Sequence, residues 1–233
     1  MLVNWGEIKG WKGFYGFGLR AEWLALYLRD PVGWRETTQL GPVQIVSLGR
    51  WLLTGGVVEH SGKETVLARL FRERGLGDPL PWELFWANTA FAWPTARWYV
   101  SRLGLGEWTS AELCRRLLAD VPRLAERTAR DATVELVGLF AGTPIGRELG
   151  QGEVSGRGPR LVRRAGLPHP HAEALVHALE LLFAECGRER LGYEEELLWP
   201  WVIFGSRREE ALFELSQSGA SGFRVREQWV ERA

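Results

Sequence analysis

Apolar side chains return every three to four residues along most of this chain, and proline and glycine mark where each run starts and stops. Leu19, Trp23, Leu26 and Tyr27 form one such stripe, the spacing of a helix with a buried face. Asp30-Pro31 closes it, because a residue before proline is pushed out of helical geometry. A second helix is predicted from Gly41-Pro42 to Thr54, with proline in the first turn and Gly55-Gly56 as the stop. VVEH then reads as a short strand, and Glu64 to Arg74 as a further helix. Helices are also predicted from Pro81, from Pro94, from Thr109, from Ala125 to Phe140 and from His171 to Cys186. Thr109 with Glu112 three residues on is a capping box. Gln151 to Pro168, rich in glycine, arginine and proline, reads as a long exposed loop. ALFELS and GFRVREQW read as two strands joined by QSGAS. The expected fold is therefore mainly α. A winged helix-turn-helix-like module (residues 1–80) packs on a helical body (residues 81–233), with a basic loop near 154–172 and a C-terminal hairpin.

Charge separates some functions from others. The chain has 29 basic and 29 acidic side chains, so the formal net charge is zero. That balance argues against indiscriminate coating of nucleic acid but not against a local DNA-facing surface. Residues 115–170 carry ten basic and six acidic groups, and residues 171–233 carry seven and twelve. Only Lys9, Lys12 and Lys63 are lysine, so the remaining basic residues are arginine. Arginine-rich composition follows from a GC-rich genome, or from a polyanionic partner held by guanidinium forks. No apolar run is long enough to span a membrane. The start, MLVNWGEIKGWKGF, has charge and glycine before any apolar core and does not read as a secretory signal. A cytoplasmic protein with no membrane partner is expected.

The segment LGPVQIVSLGRWLLTGGVVEH is the most informative. A helix followed at once by a glycine turn and a β-branched strand is how winged helix-turn-helix readers end. The outward ridge of that helix would carry Gln44, Ser47 and Arg50, with His60 and Lys63 in the wing. Glutamine and arginine are side chains that read adenine and guanine edges in double-stranded DNA. The same module also serves as a protein-docking scaffold. Arg123, Arg127 and Arg130 lie on one helical face and offer a second reader, or a solvated face paired with Glu126 and Asp131. The basic loop brings Arg157, Arg160, Arg163 and Arg164, suited to a phosphate backbone or to RNA, or simply to solvent.

Chemistry of other kinds finds little support. Cys114 and Cys186 fall on apolar helix faces and read as buried structural thiols. His169, Pro170 and His171 hold two imidazoles apart with no third ligand near, and His177 is six residues on, so no metal site or cofactor is expected. No P-loop spacing and no HExxH pattern occurs, and no catalytic set is assigned. Trp82, Trp86, Trp93 and Trp98 have helical spacing and read as core before they read as base-stacking rings.

The stretches FYGFGLRAEWL, LGPVQIVSLGRWLLTGGVVE, LFRERGLGDPLPWELFWANTAF, TARDATVELVGLFAGTPIGRELGQGEV and LLWPWVIFGS, in this order, resemble the bacterial family called domain of unknown function 4007. The resemblance covers nearly the whole chain. The family often opens with a His-Glu-Thr-Phe-like stretch where this chain has Phe14-Tyr15-Gly16-Phe17, so no role of that polar pair carries over. The resemblance implies an accessory of a bacterial genome-defence system of the DNA phosphorothioation type, working with other defence-system proteins; with the reader-like helix and no catalytic set in the sequence, the expectation is a non-enzymatic DNA-binding or adaptor accessory. Two other readings stay open: a protein-only scaffold or subunit of a CRISPR-type nucleoprotein effector, and an enzyme whose site is assembled from dispersed residues.

Overall fold

The computed structural model describes residues 4–156, 160–195, 198–217 and 222–233. After a 3₁₀ turn at Trp5–Glu7, helices α1 (Ala21–Arg29), α2 (Trp34–Thr37), α3 (Pro42–Thr54) and α4 (Val66–Arg74) lead to α5 (Pro79–Ala92) and α6 (Pro94–Arg102). Strand β1 (Gly106–Thr109), α7 (Ser110–Asp120), α8 (Glu126–Gly142), α9 (Pro144–Arg147), β2 (Glu153–Ser155) and β3 (Leu161–Arg164) follow. The chain continues through α10 (Ala172–Cys186), β4 (Arg190–Gly192), α11 (Pro200–Phe204), α12 (Arg208–Gln217), β5 (Phe223–Val225) and β6 (Trp229–Arg232). The protein is mainly helical with two small antiparallel sheets, ordered β1-β3-β2 and β4-β6-β5. No helix among the described residues is long and apolar enough to cross a membrane.

Helix α5 is the centre. Asp78 caps it, accepting from the Leu80 N–H at 2.9 Å, and Pro79 stands at its first position. Helices α4, α6, α9, α10 and α11 pack around it. Its apolar residues therefore do not keep to one stripe: Leu80, Trp82, Phe85, Trp86, Ala87 and Ala90 are all buried. The heavy use of tryptophan has a physical reason here. Several buried rings fill core volume while the indole N–H ties a loop or helix end to that core. Trp51 donates to the Phe17 carbonyl (2.9 Å), Trp82 to Leu76 (2.9 Å), Trp86 to Ile203 (3.0 Å) and Trp93 to Trp11 (3.0 Å). The capping box at α7 is formed, with Thr109 Oγ1 accepting from the Glu112 N–H and the Glu112 carboxylate from the Thr109 N–H.

Three local expectations need correction. ALFELS is not a strand but part of α12. Ala211 and Leu215, four apart, are its buried side, whereas Phe213 is 61% exposed. So short a stretch, six residues, satisfies either period, and the acidic Glu209 and Glu210 in the first turn favour the helix. The VVEH strand shrinks to a single antiparallel bridge, Val58 opposite Glu64, closed by Glu59 N–H to Lys63 O at 2.8 Å. The region 151–168 is not simply an exposed loop, because β3 is the central strand of its sheet. The two thiols, Cys114 and Cys186, are half-buried.

Arg164 explains why β3 is central. Val162 and Arg164 share the inner face of β3, and Arg164 is only 2% exposed. Its Nε donates to Gln151 Oε1 (3.2 Å), Nη1 to the Val100 and Gly104 carbonyls (both 3.2 Å), and Nη2 to those of Val202 (2.7 Å) and Ile203 (3.1 Å). All five guanidinium N–H groups thus have an acceptor. The carbonyls come from the C-terminal ends of α6 and α11, where helix dipoles are negative. Burial lowers the guanidinium pKa to about 10, so it stays charged at neutral pH. Arg164→Leu removes the donors to the Val100, Gly104 and Val202 carbonyls and leaves Ile203 held by Trp86 Nε1–H alone. We predict a loss of roughly 3–5 kcal/mol, measured by chemical denaturation. Arg164→Lys, with three donors in another geometry, recovers little of it. A loss under about 1 kcal/mol for Arg164→Leu would show that the cage is not structural.

Candidate nucleic-acid interface

The segment 12–20 lies directly on α8. A Cβ placed on Gly18 would come within 2.0 Å of the Gly138 backbone, and one on Gly142 within 2.3 Å of the Leu19 carbonyl, so only glycine permits this approach. Phe14 is the anchor. Its ring stacks on Trp51 at 3.5 Å and meets Trp93 edge-on at 5.1 Å. Next to it the backbone turns through two consecutive left-handed residues, Tyr15 at φ 56° and Gly16 at φ 80°.

A buried carboxylate holds this turn. Glu135, in the middle of α8, is 0% exposed. Its Oε1 accepts from the Phe14 and Gly16 N–H groups (both 2.9 Å) and its Oε2 from Gly13 N–H (3.1 Å). Burial pushes the Glu135 carboxyl above the usual range and the Asp131 carboxylate adds to this, while the three backbone N–H groups pull it back down.

Basic side chains flank the turn on both sides. On one side Lys12, Tyr15, Arg50, Arg127, Asp131 and Glu135 line a depression of about 460 Å³. Lys12 pairs with Asp131 at 2.7 Å. Arg50 donates to the Gly13 carbonyl at 2.7 Å and lies over the Tyr15 ring at 4.7 Å. On the other side Phe17, Arg20, Glu22, Gly138, Gly142 and Arg160 line a depression of about 410 Å³. Gly16 belongs to both. Arg20 lies over the Trp23 ring at 5.5 Å. Among the described residues Arg20, Arg50, Arg127 and Arg160 form no ion pair, whereas Arg72, Arg74, Arg97, Arg102 and Arg130 each do.

The structure distributes the expected contact residues unevenly. Arg50 is in this site, but the ridge it was expected to form is not. Ser47 is 0% exposed because it faces the core, so it cannot read a groove. Gln44 is half-buried, and its Oε1 caps α3 by accepting from Gly41 N–H at 2.8 Å. His60 and Lys63 are exposed on the hairpin after α3, and Lys63 lines a different depression with Glu59, Glu64 and Arg69. In the basic segment, Arg157 lies outside the described residues. Arg160 joins the site. Arg163 is exposed on β3 between its cross-strand neighbours Glu107 and Glu153. Arg164 is the buried cage residue, which corrects its expected place in an exposed phosphate-binding loop. Of the second reader face, Arg127 joins the site and Arg130 pairs with Glu126 at 2.8 Å.

His171 and His177 serve the α5–α10 contact. Buried Glu83 accepts from the His171 N–H (2.8 Å) and bonds its Nδ1 (2.7 Å), and His177 bonds Asn88 (2.8 Å). No group of three or more His, Cys, Asp or Glu side chains among the described residues is placed to hold a metal ion. Reading the sequence missed Arg20 and, above all, Glu135. Its signal was present, since a glutamate between Val134 and Leu136 interrupts an apolar helix and needs a partner when buried.

No protein-family model matches the chain, and no curated protein matches it. Two solved structures do match. One is titled "Magnesium ion-bound SspB crystal structure", with a TM-score of 0.65 and 16% identity, covering 94% of this chain and 81% of that one. The other is titled "SspB crystal structure", with a TM-score of 0.64 and 15% identity, covering 94% and 82%. The fold is similar to that of SspB. The likeness to SspB spans 94% of this chain. At this identity it is a likeness of fold, and the magnesium ion belongs to the SspB structure.

The Glu135 latch has a pH signature. Its folded pKa lies above the unfolded value, so the folded state binds the extra proton. Stability from this group therefore rises as pH falls through the folded pKa and levels off below the unfolded one. Glu135→Gln should remove that pH dependence from denaturation midpoints, its amide oxygen still accepting from the Phe14 and Gly16 N–H groups while the Gly13 N–H loses its acceptor. Glu135→Ala should cost roughly 2–3 kcal/mol and speed amide exchange at Gly13, Phe14 and Gly16. Unchanged exchange at those amides in Glu135→Ala would contradict the latch.

Proposed function

We propose that this protein is a non-enzymatic DNA-binding accessory of a bacterial genome-defence system of the phosphorothioation type. It contacts the phosphate backbone of double-stranded DNA through the arginines beside the 12–20 turn. The observation that carries the reading is the convergence of Arg20, Arg50, Arg127 and Arg160 from four separate elements onto one surface, none with an acidic ion-pair partner among the described residues. Arg20 and Arg160 line one depression and Arg50 and Arg127 the other, with Gly16 common to both, and an anion beside each pair offsets the repulsion between like charges. Phosphates at regular spacing answer that requirement, and arginine forks hold them at two points. Glu22 and Asp131 moderate the field, so contact is local and salt-sensitive.

The resemblance to domain of unknown function 4007 and the SspB-like fold support the defence-system assignment. In this reading α3 with its short hairpin is a winged-helix-like module that docks through its Arg50 end and not along a base-reading ridge. Phosphate contact without base readout suits an accessory that acts on DNA of many sequences alongside other defence-system proteins.

Fluorescence anisotropy with duplex DNA across a salt series tests this. The full chain should bind at low salt, with affinity falling steeply as salt rises. The variant Arg50→Ala/Arg127→Ala/Arg160→Ala should weaken binding on all sequences alike and reduce the salt slope by about three, with its melting temperature as the folding control. No duplex binding at low salt would favour the protein-scaffold reading, and an unchanged slope would place DNA elsewhere on the molecule.

A further inference from the structure

Tyr15 is the one residue at this surface whose conformation costs the fold something that packing does not return. It is the only described non-glycine residue with positive φ, at 56°, and it stands between Phe14 and Gly16 in a run otherwise rich in glycine. A side chain in the left-handed region is disfavoured, and glycine takes that position without penalty. Yet Tyr15 is 53% exposed, so the core gains little from it. Phe14 next to it is buried and stacked on Trp51, which shows how an aromatic is used here when stability is the purpose.

The ring is also held in place. Its backbone is fixed because Glu135 bonds the N–H groups on both sides of it, at Phe14 and Gly16. Arg50 covers the ring at 4.7 Å and is itself fixed by the Gly13 carbonyl. Among the described residues no other aromatic ring or cation packs on Tyr15. The result is a rigid exposed aromatic, backed by a guanidinium, at the rim of an arginine-lined depression.

We infer that Tyr15 is a stacking platform for an unpaired nucleobase, so that the preferred ligand of this surface is single-stranded DNA or DNA with an unstacked nucleotide. The inference rests on the phosphate-contact reading above. A base has a flat π-face that stacks on tyrosine whatever its sequence, while its flanking phosphates meet Arg50 and Arg127. In a fully paired duplex the faces are occupied by neighbouring bases, so duplex DNA engages the arginines alone. Prepaid ordering of the ring reduces the entropy lost on binding.

The test compares a short single strand carrying 2-aminopurine with the same sequence as duplex, using the full chain. The parent should bind the single strand more tightly and quench the 2-aminopurine. Tyr15→Phe should retain both properties. Tyr15→Gly should melt no lower than the parent, because the left-handed strain is gone. It should lose about tenfold in single-strand affinity together with the quenching, and keep its duplex affinity. Tyr15→Asn, which also suits left-handed backbone, should behave as Tyr15→Gly does. Single-strand binding unchanged in Tyr15→Gly, or loss of single strand and duplex to the same extent, would overturn the platform while leaving the arginine reading intact. So would failure of both variants to fold, since the ring would then be structural. Absence of binding to either ligand by the parent would overturn both readings.

Discussion

Arg164 is the interaction on which the remaining architecture hangs. A single buried guanidinium gathers the carbonyl ends of α6 and α11 and the side chain of Gln151. Those parts are far apart in sequence, and they would otherwise meet with unpaired acceptors in a dry core. Gln151 extends the tie by donating to the carbonyls of Leu149 and Phe204 at 2.9 and 2.7 Å. Among the described residues no carboxylate pairs with Arg164, and its charge is met by aligned carbonyl dipoles. Because Arg164 points inward, the register of β3 is fixed, and Arg160 at the start of that strand is delivered to the candidate site.

Glu135 is the counterpart with opposite sign. Arg164 collects carbonyls, and Glu135 collects the N–H groups of Gly13, Phe14 and Gly16. Both place a charge in the interior and satisfy it with backbone, a solution that demands one geometry and tolerates little slippage. Helix α8 turns that demand into a surface. Arg127, Asp131 and Glu135 recur every four residues, so the helical face that latches the turn also lines its basic flank. Structure and candidate site are therefore one construction: the same helix face buries Glu135 and presents Arg127.

Much of the helical framework was legible because its signals were local. Pro42, Pro94 and Pro144 begin helices, Gly55, Gly75 and Gly187 follow helix ends, and Thr109 and Glu112 form their box. Trp82, Trp86, Trp93 and Trp98 are core, as their spacing implied. The errors came where two periods fit a short stretch or where a charged residue was buried. ALFELS suits strand and helix alike, and tertiary contact through Ala211 and Leu215 decided it. Arg164 hid the alternation of β3, since Leu-Val-Arg-Arg shows no inside and outside until one arginine is known to be caged. The candidate site was legible only in fragments. Arg50, Arg127 and Arg160 were each singled out, but in three separate surfaces, and only the packing of the turn onto α8 joins them. Ser47 was misplaced because a ridge of three polar residues, Gln44, Ser47 and Arg50, does not reveal that its one small member faces the core.

The central claim is that a prebuilt turn with its flanking arginines is the surface that meets nucleic acid. Hydrogen–deuterium exchange of the full chain, with and without DNA at low salt, tests it most directly. The account predicts slowed exchange confined to residues 12–20, the first turns of α8 and the start of β3, with the hairpin after α3 unchanged. Protection centred on that hairpin around His60 and Lys63, with the 12–20 turn unaffected, would contradict it.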